Sequence, residues 1–260
     1  MAINPAWPQS DVRIETFDTL GSTNEEALAR ARKGERGPLW ITARRQTAGR
    51  GRRARPWVSE AGNLSASLLL SDPCPPERAA ELSFVAALAL HDAIVEAAPA
   101  LGPRATLKWP NDVLIDNAKV AGILVEGESA GATLAAVIGI GVNCASHPDD
   151  TPYPATNLAA AGAMLSPDTL MQALARTMAS RLAQWDRGGG FASTRADWLK
   201  WAAGIGRDLR VAVGRRDIVG RFETLDEAGR LVLRLPTGAA EIVAAGDVFP
   251  VARASAAAGA

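Results

Sequence analysis

Residues 44–57 read Arg-Arg-Gln-Thr-Ala-Gly-Arg-Gly-Arg-Arg-Ala-Arg-Pro-Trp: six arginines around two glycines, closed by a tryptophan. Guanidinium forks and backbone N–H groups gathered by glycine turns can wrap a phosphate or carboxylate. The stretch lacks the Gly-Lys-Ser/Thr end of a Walker A loop, and its Gly-x-Gly has no third glycine at the dinucleotide-binding offset. Taken alone it reads as an anion-binding loop, an RNA-binding patch or a localisation signal. Two further segments place charge at chemically useful positions: Leu-Lys-Trp-Pro-Asn-Asp-Val-Leu (107–114) and Lys-Val-Ala-Gly-Ile-Leu-Val-Glu (119–126). Of 28 basic residues only Lys33, Lys108, Lys119 and Lys200 are lysines, so two of the four fall in these segments. A lysine supplies a compact point charge that an arginine fork does not.

Lys119 follows a tight turn at Asp116-Asn117-Ala118 and begins an apolar run. By spacing alone it reads as a solvated lysine at a hairpin end. Upstream, Gly-Ser-Thr-Asn-Glu-Glu (21–26) reads as a helix start, with Ser22 and Glu25 in capping-box positions. Such a start also presents hydroxyls and free N–H groups to a ligand. Downstream lies Ile-Gly-Ile-Gly-Val-Asn (138–143).

In this order and at these spacings the segments resemble the biotin–protein ligases, over about residues 12–250. The Gly-Arg-Gly-Arg-Arg and Lys-Trp-Pro-Asn-Asp pair is specific in combination. The resemblance implies an α+β fold: a class II aminoacyl-tRNA synthetase-like catalytic domain with a mixed sheet, then a small SH3-like β-barrel. It implies activation of biotin as biotinyl-5′-AMP and transfer to a lysine of the biotin carboxyl carrier domain of a biotin-dependent carboxylase. Lys119, Arg50 and Arg52 carry the catalytic role in this reading. Ser22, Thr23, Asn24 and Gln46 surround the ureido ring, and Gly49, Arg50, Gly51, Arg52 and Lys119 complete the biotin side. Arg50, Arg53, Arg55, Trp57, Lys108, Asn111, Asp112 and Asn143 fall on the ATP side. For Arg53 a solvated loop charge, for Trp57 a core tryptophan and for Asp112 a turn-former remain open. ATP and Mg²⁺ are expected, the Mg²⁺ mainly through phosphates, with no tightly bound prosthetic group. The arginine loop is expected to order over bound ligand.

A lipoate–protein ligase is the nearest rival, sharing fold and reaction; Gln46 and the Arg-Gly-Arg loop favour biotin. The rival from another class is a biotin-sensing or nucleic-acid-binding regulator. Basic and acidic residues balance at 28 each, which argues against a chain whose main task is holding nucleic acid. The 21 residues before Ser22 are too few for the helix-turn-helix domain of ligases that double as repressors, so no DNA partner is expected. No apolar run approaches the ~20 residues of a membrane span, and the first twenty residues lack a signal-peptide pattern. A cytoplasmic, reduced setting fits two cysteines, Cys74 and Cys144, without metal or redox spacing. A homodimer is left open.

The elements that must hold these residues follow from periodicity and punctuation. A helix is expected from Ser22 to Lys33, stopped by Gly34. Strands are expected at 39–43, 63–70, 106–108, 113–115, 120–126 and 134–142. After Pro73–Pro76 a long helix should span 77–97, and helices near 168–186 and 191–202 flank a triple glycine, 188–190. Beyond Gly204 short apolar runs at 209–213, 218–225, 231–235 and 240–243 alternate with turns at Gly214, Gly229 and Gly238, the texture of a small barrel. The expected division is 1–204, 205–250 and a disordered tail, 251–260.

Overall fold

A computed structural model describes residues 12–130 and 133–251. The tail expected at 251–260 lies outside them except for Val251. The first strand, β1 (Arg13–Leu20), carries no readable sequence signal: its residues are mixed and all at least partly exposed. It forms because the neighbouring strand gives it a parallel ladder. Ser22 caps helix α1 (Thr23–Arg32) as expected, though it accepts from the Glu25 N–H at a long 3.5 Å. The capping box is not completed. Glu25 turns away to Arg50, Nη1 to Oε1 2.5 Å, because a full charge offers more than a backbone N–H.

Strands β2 (Leu39–Gln46) and β3 (Leu64–Ser71) follow. The helix expected from residue 77 begins as 3-10 turns, Pro76–Glu81, before α2 (Leu82–Ala97). Then come β4 (Ala105–Lys108), β5 (Asp112–Ile115), β6 (Ala118–Ala130), β7 (Thr133–Val142), α3 (Pro167–Trp185) and α4 (Phe191–Lys200). The seven strands form one mixed sheet ordered β1-β2-β3-β7-β6-β5-β4, parallel only between β1 and β2.

Alternation in the strands sorts the two faces. Leu39, Ile41, Leu69 and Val137 meet Ala27 and Leu28 of α1. Trp40, Leu68, Leu70 and Ile138 point the other way, into a larger core with α2, α3 and α4. Helix α2 is buried almost all round, and its alanines let sheet and helices approach closely. Helix α1 covers only part of its own face. The uncovered part, over β7, β6 and β5, is where the candidate site lies.

The C-terminal segment forms β8 (Asp208–Val213), β9 (Arg216–Leu225), β10 (Leu231–Arg234), β11 (Ala240–Val243) and β12 (Asp247–Pro250). Their antiparallel order is β11-β10-β9-β8-β12. This small β-domain shares its core with the large sheet: Leu209, Phe222 and Leu231 belong to the same buried cluster as Phe84 and Trp109. The Trp109 indole donates to the Gly229 carbonyl at 3.0 Å in a buried position. A Cβ at Gly229 would come within 2.8 Å of the Phe84 ring, so the two units meet where only glycine fits.

Candidate active site

The floor of the site is backbone. Gly139 and Gly141 of β7 face it, and opposite them on β6 stand Leu124 and Gly122. A Cβ at Gly139 would meet Asn24 Oδ1 at 2.3 Å, and one at Gly141 would meet the Trp57 ring at 2.4 Å. The two glycines thus let Asn24 and Trp57 lie flat on the sheet.

Lys119 reaches this face through an irregularity. Residues of β6 on the site face are even-numbered, Gly122, Leu124 and Glu126, so strict alternation would send Lys119 into the α2 core. A register shift between Val113 and Leu114 of β5 pairs Ala121 with Val113 but Lys119 with Leu114. Val120 is the extra residue; it is fully buried, and Lys119 turns to the site. A bulge re-aims a side chain in this way. Its ammonium comes to lie over Gly122, whose missing Cβ leaves that space.

Lys119 Nζ lies 2.6 Å from Asp112 Oδ1, and Lys108 Nζ lies 4.0 Å from Asp112 Oδ2. All three side chains are largely buried. Burial works against the Lys119 ammonium, but Asp112 and Tyr153 outweigh it and its pKa stands above the ordinary lysine value. Lys108 differs. Burial dominates, Lys119 adds like-charge repulsion, and Asp112 recovers only part, so its pKa is lowered. Two lysines around one carboxylate are thereby made unlike. The Tyr153 ring lies 5.1 Å from Lys108 Nζ and 5.2 Å from Lys119 Nζ, and Trp57 lies 5.5 Å from the latter. These distances suit ammonium–ring attraction.

The arginine loop closes over this centre as a small antiparallel turn, with Arg50 bridged to Pro56 and the Gly51 N–H bonded to Arg55 O at 2.8 Å. Arg50 is held by Glu25 and, at 3.1 Å, by Glu126. Burial pushes the Arg52 guanidinium down from its ordinary value, and its Nη1 donates to Asn111 Oδ1 at 3.3 Å. Arg53 and Arg55 both reach Asp247 at the start of β12, Arg53 at 2.8 Å. The small β-domain thus holds the loop from above.

At the far end a neutral polar cluster forms. Gln46 Oε1 accepts from the Thr23 N–H at 2.8 Å and from its hydroxyl at 3.1 Å. Ser67 Oγ lies 2.7 Å from Thr23 Oγ1 and 2.6 Å from Asn24 Oδ1, and Asn24 Nδ2 donates to Glu126 at 2.8 Å. Side chains locked this way hold fixed donors and acceptors toward a ligand.

One cavity joins the two ends. Of the sequence-derived site residues its wall includes Ser22, Thr23, Asn24, Gln46, Arg50, Gly51, Arg52, Arg55, Trp57, Lys108, Asn111, Asp112 and Lys119. Gly49, Arg53 and Asn143 are not on that wall. A Cβ at Gly49 would meet Trp57 O at 2.7 Å, so Gly49 shapes the loop. Arg53 faces Asp247, and Asn143 is buried, bonding Thr156 O at 3.0 Å. Five cations on the wall (Arg50, Arg52, Arg55, Lys108, Lys119) face two carboxylates, Asp112 and Asp247, an excess of three positive charges. Such a cavity can hold a polyanion at one end and a neutral polar ring at the other. Tyr153, Asp247 and Phe249 also line it. Sequence reasoning missed all three. Tyr153 is the only tyrosine of the chain, which was the one available hint.

Residues 19–143 match the biotin/lipoate A/B protein ligase family, and residues 204–249 match the biotin protein ligase C terminal domain. The chain belongs to the biotin protein ligase family. It is 44% identical over 238 residues to a biotin–[acetyl-CoA-carboxylase] ligase of Paracoccus denitrificans, covering 88% of this chain and 96% of that one. It is 35% identical to the Mycobacterium tuberculosis protein of the same name, over 93% of this chain and 89% of the relative. The fold matches a biotin protein ligase from Aquifex aeolicus solved in complex with biotin and ATP. The TM-score is 0.74 at 23% identity, over 91% of this chain and 97% of that one.

Proposed function

We propose that the chain is a biotin–protein ligase: it joins biotin to AMP at the expense of ATP and passes the biotinyl group to a lysine of a biotin carboxyl carrier domain. The observation that carries this reading is the polarity of this cavity, cationic around Lys119, Lys108 and the arginines, neutral and hydrogen-bonding at Thr23, Asn24 and Gln46. A ureido ring offers two N–H donors and one carbonyl acceptor, which such a cluster can match. A ligand lacking them would leave buried polar groups unpaired. This favours biotin over lipoate.

Activation requires two anions to meet. The biotin carboxylate must attack the α-phosphorus while pyrophosphate leaves. Lys119 is the group for that contact, since its raised pKa keeps it an ammonium. Lys108, Arg52 and Arg55 neutralise the polyphosphate, and Arg50, braced by Glu25 and Glu126, holds the closing loop. Positioning and charge neutralisation supply most of the acceleration. The nucleotide enters as an exchange of anions: Asp112 and Asp247, now paired with these cations, give way to phosphate oxygens. Mg²⁺ prefers oxygen ligands and keeps its waters. With both cavity carboxylates facing cations, it is held mainly through the phosphates. No helix of the described residues is long and apolar enough to cross a membrane.

The test is direct. The protein is mixed with ATP, Mg²⁺ and radiolabelled biotin, with lipoate in parallel, and products are separated with and without a carrier domain. Biotinyl-AMP followed by carrier labelling is expected. Labelling by lipoate at an equal rate, or no adenylate at all, refutes the reading.

A further inference from the structure

The hydrogen bonds behind the neutral end of the cavity have a direction. A carboxylate only accepts. Asn24 therefore turns its amide nitrogen to Glu126 Oε2, at 2.8 Å, and the Leu124 carbonyl, at 3.4 Å, holds that nitrogen on the same side. The Asn24 oxygen is left facing Ser67. Ser67 has one proton for two neighbours, Asn24 Oδ1 at 2.6 Å and Thr23 Oγ1 at 2.7 Å. The amide oxygen has no proton to give, so Ser67 donates to it, and the Thr23 proton closes the other contact. Gln46 Oε1, 3.1 Å from Thr23 Oγ1, is the second acceptor in reach of that proton, and the Thr23 N–H already supplies it at 2.8 Å. Whichever oxygen takes it, the Thr23 proton points into the protein. Thr23 meets the cavity with lone pairs alone.

We propose that Ser67 and Glu126 are positioning residues that set ligand selectivity at this end: through Asn24 they make the Thr23 hydroxyl a pure acceptor, matched to a ring N–H of the ligand. The inference rests on the ligase reading above. Neither residue is on the cavity wall, and Ser67 is fully buried. An acceptor-only oxygen takes a ureido N–H and repels a ring oxygen in the same place, because two lone pairs would then face each other. Turning the Thr23 proton toward such a ligand would leave the Ser67 and Thr23 oxygens 2.7 Å apart with no proton between them. In a buried place an unmade bond of that kind is costly. The carboxylate of Glu126 is the origin of the order. Arg50 donates to Glu126 Oε1 at 3.1 Å and has donors only. In Glu126→Gln, Arg50 keeps the side-chain oxygen, so the new amide nitrogen faces Asn24. Asn24 must then turn over, donating to Ser67, and Ser67 donates to Thr23. The Thr23 proton is released toward the cavity, and the direction of the whole chain is reversed without a change of shape.

Two cyclic carbamate analogues of biotin test this, each with one ureido N–H replaced by a ring oxygen. The kcat/KM of adenylate formation is read by pyrophosphate exchange for biotin and both analogues, in the wild type, Ser67→Ala and Glu126→Gln. The wild type should use one of the two analogues at least about 10²-fold less well than biotin, the scale of a buried polar mismatch. That ratio should fall about tenfold in each variant, the scale of one hydrogen bond regained. Ser67→Ala leaves Thr23 free to turn its proton to the ligand, and Glu126→Gln reverses the chain that held it. A merely structural role would lower the use of all three ligands alike and leave the ratio where it was. An unchanged ratio in a variant that still activates biotin therefore overturns the inference. Equal use of biotin and both analogues by the wild type overturns it too, and so does loss of all biotin activation in both variants, which would give these residues more than a selective role. Failure of the wild type to activate biotin would instead refute the ligase reading.

Discussion

Asp112→Asn isolates the electrostatics at the centre of the site. The substitution keeps shape and leaves two ammonium groups, at 2.6 and 4.0 Å, facing an amide. With an effective dielectric of 20 the lost attractions are about 6 and 4 kcal/mol before relaxation. Relaxation has a ceiling, because a lysine deprived of its partner can shed its proton. At pH 7 that costs about 1.36 kcal/mol for each of the 3.5 units to the ordinary value of 10.5, or about 5 kcal/mol. At pH 9 the same route costs about 2 kcal/mol. The expected destabilisation is therefore about 3–5 kcal/mol at pH 7, shrinking to about 2 kcal/mol at pH 9. The sign follows from linkage. In the variant the lysine's folded pKa falls below its unfolded one, the unfolded chain binds more protons, and stability rises with pH. Urea unfolding of both proteins at the two pH values measures it. A penalty that is independent of pH, or below about 1 kcal/mol at pH 7, would mean that Asp112 does not hold Lys119 in solution.

Further outcomes follow from the same geometry. Lys119→Ala should fold and lose about 10²–10³-fold or more in adenylate formation, the scale of removing a transition-state charge contact, read by pyrophosphate exchange. Lys108, its pKa lowered by burial, must be charged to meet phosphate. KM for ATP should rise on the alkaline side in the wild type and not in Lys108→Arg, because Lys108 is the more easily deprotonated of the two lysines. Gly141→Ala puts a Cβ 2.4 Å from the Trp57 ring; overpacking of about 1–3 kcal/mol should appear as Trp57 displacement and a lower kcat/KM. Trp109→Phe removes the donor to Gly229 O and should cost about 1–3 kcal/mol. Its urea curve should remain a single transition, because the two sheets share a core.

Much of this was legible in sequence. The interior strands and the long helices announce themselves by apolar runs, and the arginine loop and the Lys-Trp-Pro-Asn-Asp turn stand out by residue type; Lys119, a solvated hairpin lysine by spacing alone, was singled out only by the family resemblance, and the fold brings all three to one cavity. Strand β1 was not legible, because a partly exposed edge strand has no need of an apolar pattern. The capping-box reading of Glu25 failed because its partner, Arg50, is 25 residues away in sequence. Tyr153, Asp247 and Phe249 escaped for the same reason: each joins the site from a segment with no motif of its own, through contacts that only the folded chain makes. The separateness suggested by the change of texture at Gly204 is likewise not a separateness of packing, since Trp109 and Gly229 tie the two units together.

The bulge at Val120 has a meaning beyond aiming one side chain. A one-residue slip exchanges the two faces of a strand, and in 118–127 it would carry Glu126, now paired with Arg50 and Asn24, to the core side. Here a slip that erased the irregularity would drive the Lys119 ammonium into the aliphatic layer against α2, where an unpaired charge is costly enough to forbid the state. Lys119 is therefore also a register determinant of its strand. Replacing it with a neutral residue would relax the penalty on mispairing. A neutral variant at this position should therefore show faster amide exchange along β6, with Glu126 as the remaining polar anchor of the register.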